Sequence, residues 1–572
     1  MKAYIVPESY KASTQLITEH PKELEYIQAY RNSAAACQIL LHDGLKNHFI
    51  FGREFSIPDE IEIPMYRLEV KSNLPVKLQF EDYYIGNENI EFADKLIDQT
   101  AKTYSGDRFA PIYMEVPINP ETKIGTYPIE ITLYRSELTG KDEKVLTKSL
   151  NINVGDYCFP KDMTQKFNLD IWQQPSNLAR TFQVPLWSEE HFRLLDELAK
   201  SLAALGQKAI TIIAGEIPWK GWFNYIVKDY PANLYEYSMI KVKKNKSGQI
   251  ECDFSILDRY IDIMFKAGIC KEINIFGLLG VWHPPFFPLV KDLDHPEKLV
   301  IRYYDEVSET IDFVQDRLDL QHFLKTIFAH FKALGIWDKV RIISDEPKVH
   351  EIPIFKQALA ILKSIDPTLK VKVAFDKEEV LKKLIEDVDY PVTSYYCTCN
   401  NYRELQQSHP GKTQYYICNY PDKPNTFLHS PLLETRLQGV LAHYFKTDGL
   451  LRWAYNCWPE NAIQDIRYNT SSLPIGDLCM VYPSHSGHIL LSLRYKELQR
   501  GIEDFHLIKE AEQINPEAVL TIIENFLEVK NPEEWMLNSH LSNPNVFRHN
   551  YSSYDKLREE LLNIINLSRN DR

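Results

Sequence analysis

The chain has 572 residues, 44% of them apolar and 25% charged, which is the composition of a soluble globular protein of two or three domains. Lys plus Arg number 65 against 79 Asp plus Glu, and the resulting formal charge of −14 argues against nucleic acid as a partner. No apolar run reaches the ~18 residues of a membrane span, and the start, Met1-Lys-Ala-Tyr-Ile-Val-Pro-Glu8, lacks a signal core, so a cytoplasmic location is expected.

Residues 1–158 alternate apolar and polar side chains over short segments. Examples are 61–70, 75–80, 112–116, 127–133 and 150–154, separated by turn residues such as Gly125-Thr126 and Thr139-Gly140. A period of two with regular turns predicts an N-terminal β-sandwich. From Phe167 the rhythm changes to strand then helix, repeated. Strands are expected at 168–172, 208–213, 272–276, 340–344, 371–375, 391–395, 413–417 and 449–453. Helices lie between them. Ser188 caps one that ends at Gly206, and Asp316–Leu334 repeats that design before Gly335. Eight βα units in series predict a (β/α)8 TIM-type barrel over 159–512. An open doubly wound sheet would want a glycine-rich turn after its first strand, and Ile171-Trp-Gln-Gln-Pro175 is not one. Helical stretches at 516–529 and 554–567 predict a C-terminal extension, 513–572, packed on the barrel.

The nine cysteines follow no disulfide spacing. Cys397 and Cys399 are the one close pair, and on a strand they would share a face. No second Cys/His pair completes a tetrahedral set, so neither metal nor other cofactor is expected.

Barrels of this kind build their sites at the C-terminal ends of the strands. Those ends offer Asp170, Trp172, Gln173 and Gln174; Glu216 and Trp219; Trp282 and His283; Asp345 and Glu346; Asp376; Tyr395 and Tyr396; Asn419 and Tyr420; and Arg452, Trp453, Tyr455, Asn456 and Trp458. Aromatic platforms, amides and carboxylates together suit a sugar site. Asp345-Glu346 stands out. Two acids in one cleft repel, which raises at least one pKa and keeps a proton available near neutral pH. Neighbours on a strand face opposite ways, so both enter one site only if the strand ends there. Pro347 is expected to end it and to hold Glu346 extended. The same tripeptide also fits an ordinary polar loop start. Trp282, Trp453 and Trp458 suit core and platform equally. Asp170 is expected to pair with Arg180, and Glu216 competes with Glu346 as a strand-end carboxylate but lacks a neighbouring acid.

Several stretches, taken in order, resemble glycoside hydrolase family 123, whose studied members are β-N-acetylgalactosaminidases. They are Asp170-Ile-Trp-Gln-Gln-Pro175 with Ala179-Arg180 and 184–192, Ile343-Ser-Asp-Glu-Pro347, Leu451-Arg-Trp-Ala-Tyr-Asn-Cys-Trp458, Gly476-Asp477, Val481-Tyr-Pro483, Ser492-Leu-Arg494 and Arg500-Gly-Ile-Glu-Asp504. The resemblance implies a retaining reaction in which the substrate's 2-acetamido oxygen is the nucleophile and an oxazolinium ion the intermediate. It makes Glu346 the acid and then the base, and Asp345 the group that orients the acetamido N–H. By position it gives Tyr395 a hydrogen bond to the acetamido oxygen and makes Trp453 and Trp458 walls of the pocket, with Tyr455, Asn456, Trp282 and Asp170 as further substrate-binding candidates. Gln174 departs from the histidine expected there, and 241–248 reads as an inserted hairpin. The expected partner is an oligosaccharide or glycoconjugate, and the oligomeric state is not legible. Two other readings stay open: a sugar-binding protein without catalysis, and a glycosidase of different specificity.

Overall fold

The computed structural model describes residues 1–18, 20–52, 56–58, 60, 62–136, 141–218, 235–280, 301–468, 473–528, 530–538 and 541–570. Two sheets form the N-terminal sandwich. One orders its strands Lys2–Pro7, Ser33–His42, Ala110–Ile118, Lys77–Ile85 and Glu91–Ile97. The other orders Tyr26–Arg31, Glu143–Cys158, Gly125–Ser136, Met65–Ser72, Asn47–Phe51 and Ala101–Tyr104. Alternation does its expected work on Gly125–Ser136, where Ile129, Ile131 and Leu133 enter the core while Glu130 faces water.

Eight parallel strands follow: β1 (Asp170–Ile171), β2 (Ala209–Ile213), β3 (Glu272–Phe276), β4 (Val340–Asp345), β5 (Val371–Phe375), β6 (Tyr390–Ser394), β7 (Gln414–Tyr416) and β8 (Leu450–Arg452). They pair in the order β1-β8-β7-β6-β5-β4-β3-β2. The barrel closes between β1 and β2 with few main-chain bonds. Lys208 N–H donates to the Leu169 carbonyl at 2.9 Å, and Leu169 and Gln207 form an isolated parallel bridge. Above that, two side-chain amides stand in for the peptide ladder. Gln207 accepts from Ile171 N–H at 2.9 Å and donates to the Ile171 carbonyl at 3.1 Å. Gln173 accepts from Thr211 N–H at 2.8 Å, and its own N–H donates to the Thr211 hydroxyl at 3.1 Å.

The helix Glu189–Leu205 starts where Ser188 Oγ accepts the His191 N–H, and ends at left-handed Gly206. Asp316 caps Arg317–Ala333 by accepting from Leu318 and Asp319. The 241–248 hairpin joins a four-stranded sheet of Lys241–Lys244, Ile250–Asp253, Arg302–Asp305 and Thr310–Phe313. Cys397 and Cys399 sit on a helix, Tyr395–Ser408, and not on a strand.

The helix Leu493–Glu512 ties the parts together through buried ion pairs. Arg494 meets Asp94 of the sandwich at 2.8 Å, and Arg500 meets Glu8 at 2.9 Å. Asp504 accepts from Arg436 of the barrel helix Leu432–Tyr444 at 2.7 Å and from Arg558 of the C-terminal helix Tyr551–Asn570. The barrel helix crosses Leu493–Glu512 at a pair of glycines. A Cβ at Gly439 would lie 1.9 Å from the Gly501 carbonyl oxygen, and one at Gly501 would lie 2.4 Å from that of Arg436. Both obstacles are backbone, so Gly501→Ala must part the helices. We expect it to lower stability by about 3 kcal/mol, the upper part of the overpacking range, read as a lower midpoint in urea unfolding.

Candidate active site

The inward face of each strand follows from its lowest residues. On β5, Lys372 points into the barrel, where its ammonium bonds Asp170 Oδ2 at 2.7 Å and also meets Glu272 of β3. Period two then turns Ala374 inward as well, and Asp376 follows just past the end of the strand. Residues 341, 343 and 345 share a face of β4, and Arg341 lies close enough to Glu272 to help keep that acid charged. Asp345 is therefore an inward residue at the top of β4, paired in register with Ala374.

The next residue should point out, and the backbone prevents it. Glu346 has φ +43°, in the left-handed region that a residue before proline rarely adopts. Its N–H still donates to the Ala374 carbonyl at 3.0 Å. The expectation that Pro347 holds Glu346 extended is thus corrected. A turn about φ, and not an extended arm, brings the second acid over the same mouth, at a cost of about 1–3 kcal/mol of local strain.

Glu346 Oε1 accepts from the Tyr416 hydroxyl at 2.7 Å, and Oε2 lies 3.4 Å from Lys348 Nζ. Burial pushes the Asp345 carboxyl well above the usual range, and the Glu346 charge adds to this. Glu346 is raised too, by burial first and then by the negative charge of Asp376, while Lys348 and the Tyr416 hydroxyl pull it back. Asp376, at the end of β5, is 5% exposed and meets Lys377 at 3.0 Å. Cys418 closes the group, its thiol driven up by burial and by the charges of Asp477, Glu346 and Asp376.

Most other candidates lie elsewhere. Tyr395 shares the outward face of Thr393, whose hydroxyl bonds Thr398 in the following helix at 2.7 Å. Its ring is fully buried against Phe445, 5.8 Å away in a T-shaped contact. Tyr416, one strand further on, takes the inward place instead, because its neighbour Tyr415 turns out to bond Gln438. Tyr455 is buried with its hydroxyl 2.9 Å from that of Ser201. Asn456 staples β8 to the end of β1, accepting from Gln174 N–H at 3.1 Å and donating to its carbonyl at 3.0 Å. Trp458 is fully buried, donating to the Val481 carbonyl at 2.8 Å and meeting Phe182 edge-on. Trp453 donates to Asp477 Oδ2 at 3.1 Å, and Asp477 also pairs with Arg452 at 3.2 Å; this places Trp453 on the Cys418 side of the mouth.

Asp170 bonds Asn274 and Lys372 and lies deeper, in the barrel floor. Its expected partner Arg180 instead lies 3.8 Å from Glu236. Glu216 is engaged, by the Tyr235 hydroxyl at 2.6 Å and Arg302 at 2.7 Å. Trp282, His283 and Trp219 fall outside the described residues.

No group of three or more His, Cys, Asp or Glu among the described residues has the arrangement of a metal site. No helix among them is long and apolar enough to cross a membrane.

A buried mouth that gathers three carboxylates, a lysine and a tyrosine suits proton transfer to and from a polyhydroxylated substrate. Comparison with known proteins agrees. The family model "Glycoside hydrolase 123, catalytic domain" matches residues 172–511. A solved family 123 glycoside hydrolase from Clostridium perfringens, described for glycolipid glycan hydrolysis, superposes with a TM-score of 0.73 at 17% identity, covering 100% of this chain and 98% of that one. A β-D-glucuronidase from Dictyoglomus thermophilum reaches a TM-score of 0.31 at 11% identity, covering 88% of this chain and 69% of that one. No curated protein sequence matches. With its catalytic-domain model covering 172–511 and its sandwich, barrel and C-terminal helices in place, the chain belongs to glycoside hydrolase family 123 and acts on a carbohydrate as a glycosidase.

Proposed function

We propose that the chain removes terminal β-linked 2-acetamido sugars, N-acetylgalactosamine foremost, from a glycoconjugate by a retaining, substrate-assisted reaction. The observation that carries this is the turn at Glu346. Retaining enzymes with a carboxylate nucleophile set two acids about 5–5.5 Å apart on opposite sides of the sugar, and inverting ones about 6.5–9.5 Å apart. Asp345 and Glu346 are consecutive and approach from one side, so an attack from the far face falls to the substrate's own acetamido oxygen.

In the first step that oxygen bonds to the anomeric carbon as the glycosidic C–O bond breaks. The leaving oxygen takes the Glu346 proton. In the second, water adds to the anomeric carbon and gives a proton back to Glu346, the oxazolinium ring opens, and the sugar leaves with its configuration retained. Asp345 accepts from the acetamido N–H and balances the positive charge of the ring. Tyr416 supplies the hydroxyl beside it that the resemblance sought at Tyr395.

The two pKa directions suggest how the proton reaches the right acid. Without substrate, Tyr416 and Lys348 favour a charged Glu346, while Asp345 is pushed up the further of the two. An acetamido N–H donating to Asp345 favours its charged form, and the shared proton passes to Glu346.

Hydrolysis of aryl glycosides differing at C2 and C4, with inhibition by a thiazoline analogue, tests the reading. Tight thiazoline binding and turnover restricted to 2-acetamido sugars are expected; equal turnover without the acetamido group overturns it. Tyr416→Phe provides a finer check. It removes a bond that stabilises ionised Glu346, so the pKa of the acid rises. The basic limb of kcat/KM against pH should move upward, while kcat falls roughly 10-fold for one charge-assisted hydrogen bond.

A further inference from the structure

We propose that Asp376 is a substrate-binding residue of this site, its unengaged carboxylate oxygen accepting a hydrogen bond from a ring hydroxyl of the sugar held against Glu346. The proposal rests on the reading of Asp345 and Glu346 as the catalytic pair, and goes beyond it by assigning the third acid.

Three observations converge. The first is placement. Lys372 and Ala374 form the inward row of β5, Ala374 is the residue that pairs with Asp345 and accepts the Glu346 N–H, and Asp376 follows just past the strand, close enough for its charge to raise the Glu346 carboxyl. The Ala374 methyl lies beneath Asp376.

The second is rigidity. The Asp376 carbonyl accepts from Ser394 Oγ at 3.2 Å and from Cys397 Sγ at 3.0 Å, at the start of the helix Tyr395–Ser408. A strand end pinned in this way presents its side chain in one place.

The third is an unmet demand. The side chain is 5% exposed, and while one oxygen meets Lys377 at 3.0 Å, Oδ1 has no hydrogen-bond partner among the described residues. A buried carboxylate oxygen calls for a donor. The neighbouring acids cannot serve as one without spending the proton that the reaction uses. Tyr416 already donates to Glu346, and Lys348 also faces Glu346. Sugar hydroxyls are donors of the right kind, and a bond to a charged acceptor is of the strong class.

The titratable groups facing Glu346 are Asp345 beside it, Asp376 just past β5, Lys348 from its own loop, Tyr416 of β7 and Cys418 just past that strand, with Lys377 behind Asp376. Removing the Asp376 charge removes an influence that raises the Glu346 pKa. The isosteric variant Asp376→Asn therefore carries a second signature, a basic limb of kcat/KM moved to lower pH.

The experiment compares wild type, Asp376→Ala and Asp376→Asn on the aryl glycoside that the wild type hydrolyses, and on its 3-, 4- and 6-deoxy forms. One deoxy compound should lose roughly 10- to 100-fold in kcat/KM with wild type, chiefly through KM. The same compound should lose little with Asp376→Ala, which already lacks the acceptor, while the other two fall as they do with wild type. Wild-type kcat/KM in both variants, or equal deoxy losses in wild type and variant, overturns the proposal. Asp376→Asn keeps the volume and shape of the side chain, so an unfolded Asp376→Ala does not decide the matter. Failure of the catalytic-pair reading shows separately, as full activity in a Glu346 variant.

Discussion

Glu346→Gln is expected to lower kcat/KM by roughly 10³-fold on substrates with an alkoxide leaving group, the middle of the range for general acid catalysis. The variant keeps the length and shape of the side chain and still offers an oxygen to the Tyr416 hydroxyl, which donates to Glu346 at 2.7 Å. It also removes one of the buried like charges that raise the neighbouring acid. Unfolding temperature should therefore hold or rise while activity collapses, which separates chemistry from folding. The leaving group supplies the finer readout. A nitrophenolate departs without a proton, so the loss on its glycoside should be smaller by about one order of magnitude or more, and the basic limb of the pH profile should vanish. A variant that keeps the wild-type rate on both kinds of substrate would remove Glu346 from the reaction.

Asp345→Asn should cost about 10²- to 10³-fold in kcat, the scale of one lost electrostatic contact to a charged intermediate. An amide can still bond the acetamido group, but it carries no charge to balance the oxazolinium ion. The loss should be alike for good and poor leaving groups, because the role proposed for Asp345 lies in the oxazolinium ring and not in departure. Affinity for a thiazoline analogue should fall in parallel with kcat, since the analogue resembles the ring that Asp345 is proposed to stabilise. Loss of turnover with undiminished thiazoline binding would count against that role. The contrast between the two variants is the strongest test of a division of labour between consecutive residues.

The sequence made much of this architecture legible. All eight barrel strands lie where apolar, β-branched segments predicted them, and Ser188 and Asp316 cap the helices that they were expected to cap. These signals are local, and burial amplifies them. What stayed hidden was direction. A barrel strand is buried on both faces, so which side chains enter the barrel is settled by distant partners, as when Lys372 meets Asp170 across 202 positions. Tyr395 was chosen by its position at the end of the sixth strand, although Tyr416 of the next strand holds the inward place. Residues beyond the strand ends were harder still. Asn456 meets Gln174 across 282 positions, and the Trp458 indole finds the Val481 carbonyl. Neither partner leaves a trace in spacing. The left-handed backbone of Glu346 was missed for another reason. A non-glycine residue before proline is a poor candidate for it by propensity, and only the surrounding ladder holds it there.

The junction of β1 with β2 sets this barrel apart in how it tolerates change. Along the other seven seams the strands are joined by peptide groups, which every residue except proline possesses, so exchanging side chains leaves those bonds standing. At this one, Gln173 and Gln207 do part of the joining. Heredity can therefore edit the closure of the barrel here by altering a single codon. Exchange of either glutamine would leave the closure to fewer bonds, among them Lys208 N–H to the Leu169 carbonyl.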